Sequence, residues 1–177
     1  MYLCCMKNKQ GEVRALEKLK ETNETSFIPL IILQDVEEGA LEKLKNSHSG
    51  LILLDLRELE SEEVLLLNEI LNDNSFDNFK IVYDSNQLLQ EENDIGEETE
   101  YIKINPAEIN SFFLLWLSEN SERMPRNIIL DFGYIGERNF NKDIEQTLRL
   151  ANTISDRNLF ILSGAVPGNL TDRKSVV

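Results

Sequence analysis

Gly50-Leu51-Ile52-Leu53-Leu54-Asp55-Leu56 sets four aliphatic residues in a row with no polar alternation. A strand with one wet face would alternate, so this run reads as a strand covered on both sides, as in a parallel sheet packed between helices. Working outward, similar short runs recur at Tyr2 to Met6, Phe27 to Leu33, Phe79 to Tyr83, Tyr101 to Ile104, Asn127 to Phe132 and Asn158 to Ser163. Longer amphipathic stretches separate them, and this alternation is the pattern of βα units around a mostly parallel sheet. The fold class predicted is α/β.

Four helices follow from spacing and start signals. Gly11 to Glu21 carries Val13, Leu16 and Leu19 on one side, and Ser61 introduces Val64, Leu65, Leu67, Ile70 and Leu71 with Glu63 in the first turn. Asn105-Pro106 supplies a cap and a first-turn proline for a helix through Asn120, whose Phe112, Phe113, Leu115 and Trp116 predict deep burial. The last helix starts near Asn141 and turns Ile144, Leu148, Leu150 and Ile154 toward the sheet. Asn86 to Gln90 runs into the acidic stretch Glu91 to Glu100, which reads as an exposed loop.

Strand starts recur about every 22 to 31 residues, one βα unit each, which predicts a TIM-barrel-like architecture. Complete barrels of that type take about 250 residues. The 177 residues here, with no helical pattern after the seventh run, predict a single domain over residues 1–177 that lacks the C-terminal part of a barrel. An open doubly wound sheet is the alternative.

Acidic residues number 32 against 18 basic ones, a formal charge of −14. Such a field repels phosphate backbones and anionic lipid, so neither nucleic acid nor membrane is expected as a partner. Cys4 and Cys5 are neighbours, and strand alternation points them to opposite faces, so they should pack separately as unreactive core thiols. With no disulfide framework and no apolar stretch of membrane-spanning length, a cytoplasmic protein is expected.

In parallel α/β folds, functional groups collect beyond the carboxyl ends of the strands. Those positions hold Lys7 and Lys9, Gln34 and Asp35, Asp55 and Arg57, Asp84, Lys103 and Asn105, Asp131 and Ser163. Asp55, Asp84 and Asp131 could together hold Mg²⁺, which takes a few carboxylates and keeps several waters. Lys103 would then join them as a weak catalytic candidate, while Lys7, Lys9, Arg57 and Ser163 are candidates for binding a ligand. Against this, aspartates at strand ends commonly cap the next loop, and Asp55 with Arg57 has the spacing of a simple ion pair. No cofactor is expected, with Mg²⁺ as the one candidate. His48, in the turn Asn46-Ser47-His48-Ser49-Gly50, reads as a surface residue. Gly133 and Gly136 around Tyr134 read as a turn, and no Walker, dinucleotide, zinc or serine-elbow motif occurs.

Several of these segments, taken in order, resemble the phage and bacterial "beta protein" family. They are Tyr2 to Leu16 with Lys7-Asn8-Lys9-Gln10-Gly11-Glu12, then Pro29-Leu30-Ile31, Leu54-Asp55-Leu56, Leu130-Asp131-Phe132-Gly133, and Ser163 through Pro167. A related bacterial group with a similar lysine-rich first loop matches as well. The likeness covers the first part of a typical member. Ile32 stands where the family pattern has an acidic residue, and Cys4 stands near a family proline. The resemblance implies a role in phage-host conflict, in defence or counter-defence, as an interaction component that binds a protein partner or itself. A Mg²⁺-dependent hydrolase or phosphate-handling enzyme is the alternative.

Overall fold

The computed structural model describes residues 2–21, 27–72, 76–88, 99–134 and 140–164. It is an α/β structure of repeated βα units, and all seven expected strands form. The chain divides into two compact units, Met1–Tyr101 and Ile102–Val177.

In the first unit the strands are β1 (Tyr2–Lys7), β2 (Phe27–Ile32), β3 (Ile52–Asp55) and β4 (Phe79–Asp84). They lie side by side in chain order, every pair parallel, with Leu30 beside Leu53 and Asp55 beside Val82. The helices are α1 (Gln10–Glu21), α2 (Glu38–Ser47), α3 (Ser61–Leu71) and the single turn α4 (Ser85–Leu88). All four residues of β3 are buried, as expected of a strand covered on both faces. Leu16 of α1, Leu41 and Leu44 of α2 and Leu67 of α3 close over Ile31, Ile52, Leu54 and Phe79 to form the core. Helix α2 has no counterpart among the expected helices. Its signals were present in Leu41 and Leu44 three residues apart, Glu38 in the first turn and Lys45 in the last.

The second unit holds β5 (Tyr101–Ile104), β6 (Asn127–Tyr134) and β7 (Asn158–Gly164), together with α5 (Ser111–Glu119) and α6 (Phe140–Thr153). Strands β6 and β7 are parallel, with Ile129 beside Phe160. The helix expected from Asn105 onward is two elements. Asn105 does cap, its Oδ1 accepting the Ala107 N–H at 3.0 Å, but it caps a 3₁₀ turn over Pro106–Glu108. Asn110 then restarts the chain as α5, accepting the Phe113 N–H at 3.0 Å.

The deep burial expected of α5 is corrected. Phe113 and Leu117 are buried, whereas Phe112 and Leu115 are more than half exposed. Six apolar residues in succession run round the whole helix circumference, and only the stripe four residues apart can face the core. Helix α6 behaves similarly: Leu150 and Ile154 are buried while Ile144 and Leu148 are exposed. In α3, Leu65 is exposed and Leu67 buried. The acidic stretch 91–98, Gly136 and Pro167 lie outside the described residues.

Two further expectations change. Cys4 and Cys5 are exposed rather than packed in the core, because β1 is an end strand hydrogen-bonded along β2. His48 is buried, at 6% exposure, rather than on the surface. It follows directly on α2, and its ring lies 5.3 Å from the ring of Phe27, centroid to centroid.

Candidate functional site

Because β1, β2 and β3 run parallel, their carboxyl ends bring Lys7, Gln34 and the segment Asp55 to Glu58 to one rim of the first unit. The backbone ties the rim together: Asn8 donates to the Ile32 carbonyl at 3.2 Å and Leu33 to the Asp55 carbonyl at 3.1 Å.

Glu58 organises the side chains there. Its two oxygens accept from Lys7 Nζ at 2.7 and 3.0 Å, and Oε2 also accepts from Gln34 Nε2 at 3.1 Å. Both the Lys7 and Gln34 hydrogen bonds hold the Glu58 carboxyl below its ordinary value. Three successive strand ends thus meet in one exposed network. Beside it the Lys7 backbone N–H donates to the Glu12 carboxylate, and Asn8 Nδ2 donates to Asp35 Oδ1 at 3.4 Å.

Asp55 is 1% exposed and sits at the end of β3. One oxygen accepts the Arg57 N–H at 3.1 Å, and the other is forked by the Arg57 guanidinium, with Nε at 2.9 Å. The arginine neutralises a carboxylate that burial would otherwise penalise. The ion pair expected from the i, i+2 spacing is present.

The other strand-end aspartates repeat part of that arrangement. Asp84 accepts the N–H of Asn86 at 3.1 Å and Asp131 that of Gly133 at 2.9 Å, each two residues on, as Asn105 does with Ala107. These are side-chain turns that stop a strand and set the direction of the following loop. Asp55 and Asp84 end neighbouring strands of the first unit, while Asp131 and Lys103 belong to the second. Lys103 is buried within β5 rather than standing beyond its end. Lys9 is exposed on the loop after β1, and Ser163 lies in β7 with its side chain outside the described set. Among the described residues no group of three or more His, Cys, Asp and Glu side chains is placed to hold a metal ion.

The Cys4 thiol is pushed above its ordinary range, first by desolvation and then by the Glu12 carboxylate. A thiol so placed is a poor nucleophile near neutral pH. Residues that the sequence reading missed at the rim are Glu58 and Glu12. Both sit in acidic or helical contexts that read as solvated faces, and only strand register brings them to Lys7.

No helix among the described residues is long and apolar enough to cross a membrane. No family model, curated protein or solved structure matches this chain.

Proposed function

We propose that this chain is a binding component that works through association with a protein partner or with a second copy of itself. The observation carrying this reading is the use already made of the candidate catalytic aspartates. Asp55 holds Arg57, Asp84 holds Asn86 and Asp131 holds Gly133, so each supports local structure. Exposed Phe112, Leu115, Ile144 and Leu148 in the second unit supply the apolar surface that association buries. The resemblance to the beta protein family suggests the setting, conflict between phage and host in the cytoplasm.

The test is phage challenge of cells expressing the chain, with Asp55→Asn, Asp84→Asn and Asp131→Asn each compared with the parent. A change in plating efficiency that all three variants retain supports a binding role. Loss of the effect in all three folded variants counts against it.

A Mg²⁺-dependent hydrolase or phosphate-handling enzyme is the second reading, favoured by Asp55 and Asp84 ending adjacent parallel strands. Saturable heat with millimolar Mg²⁺ or Mn²⁺, abolished in Asp55→Asn, would make it the better one.

A further inference from the structure

A cleft of about 360 Å³ opens in the first unit between α1 and α2, beside the carboxyl ends of β1 and β2. One wall is a single stripe of α1, with Gln10, Val13, Arg14 and Glu17 at the i, i+3, i+4, i+7 spacing that shares a helix face. The other wall is Glu37, Ala40 and Lys43, three residues apart at the start and along one side of α2. Asn8 and Asp35, bonded to each other, are at the strand-end side. The volume lies at the small end of the range typical of ligand pockets, enough for a molecule of amino-acid size.

The charges separate this cleft from the neighbouring rim. At the rim, Lys7 is spent on Glu58 and Arg57 on Asp55. Within the cleft, Arg14, Glu17, Glu37 and Lys43 make no side-chain hydrogen bond or ion pair with any described residue. Arg14 and Glu17 stand three residues apart on one helix, a spacing at which opposite charges readily pair, and they do not. Each wall therefore offers one cation and one carboxylate, flanking the small apolar side chains of Val13 and Ala40. A lone anion would meet Glu17, Glu37 and Asp35, and a lone cation would meet Arg14 and Lys43. A molecule carrying both signs satisfies both.

We propose that this cleft binds a small zwitterion of the α-amino-acid class, its carboxylate held by Arg14 and Lys43 and its ammonium by the carboxylates of Glu37 and Glu17. The guanidinium fork suits a carboxylate in two-point contact, and each carboxylate accepts from an ammonium. This assignment is independent of the partner-binding role.

Isothermal titration of the full chain with a panel of α-amino acids at millimolar concentration tests it, with acetate alone and methylammonium alone as controls. Expected is saturable heat from at least one amino acid, none from either control, and at least tenfold weaker binding in both Arg14→Gln and Glu37→Gln. Both changes lie on exposed positions, so an unchanged thermal midpoint confirms that the variants are folded. Absence of saturable heat from every amino acid, equal binding of acetate or methylammonium alone, or undiminished binding by both variants overturns the assignment.

Discussion

Asp131 Oδ1 accepts the backbone N–H of Gly133 at 2.9 Å, and Gly133 holds φ at +57° in the left-handed region. The carboxylate and the glycine together turn the chain near the end of β6, where the register with β7 shifts between Asp131 and Tyr134. An added Cβ at Gly133 would meet no atom within 4 Å, so a side chain there is opposed by backbone strain alone. Gly133→Ala is expected to cost about 1 kcal/mol, the usual penalty for an L-residue in that region, read as a lower midpoint in urea. Gly133→Asn should lose less, since asparagine tolerates the conformation better. Equal stability of Gly133→Ala and the parent would show that the turn relaxes to another conformation.

A second expectation concerns the buried histidine. A Cβ built on Gly50 would lie 3.0 Å from His48 Nε2, tighter than ordinary contact. His48 is held from the other side by Phe27, so the ring has little room to yield. Gly50→Ala should therefore destabilise the protein by about 1 to 3 kcal/mol, the range for overpacking a filled site. Removing the ring in His48→Ala leaves a cavity of its own, but the double variant should lose less than the two single losses together. Strict additivity in thermal or urea unfolding would rule out the contact as the cause.

Lys7 and Glu58 make a pH-dependent contribution of predictable sign. The Glu58 carboxyl is lowered in the folded chain relative to its ordinary value of 4.5, through Lys7 and Gln34. The folded state therefore favours the ionised form, which adds stability at pH above the unfolded value. That stability is lost as acid carries the pH down through the lowered folded value. Both partners are substantially exposed, so solvent and salt screening keep the effect small. Lys7→Met should reduce the loss of stability between about pH 5 and pH 3, and should leave a smaller salt dependence. Identical acid unfolding curves for parent and variant would remove Glu58 from the pH response.

Much of the fold was legible before any coordinates. Runs such as Ile52 to Leu54 and Ile128 to Leu130 are too apolar for a half-solvated strand, and their spacing leaves room for one helix each. The aspartate turns were legible as well, because a carboxylate at a strand end needs only its own chain, two residues on, to find a partner. Helix faces were less so. Continuous apolar sequence, as in Phe112 to Leu117, has no periodicity to say which side is inside.

The sequence by itself determined the α/β class, the seven strands and the local contacts of Asp55, Asp84 and Asp131, since these depend on residues a few positions apart. Tertiary structure alone decided that Lys7 meets Glu58, 51 residues away, and that His48 is buried against Phe27. It also decided that α1 and α2 leave Arg14, Glu17, Glu37 and Lys43 around one cleft. Such pairings are set by which strands become neighbours and how the helices pack over them, and no short-range pattern encodes that.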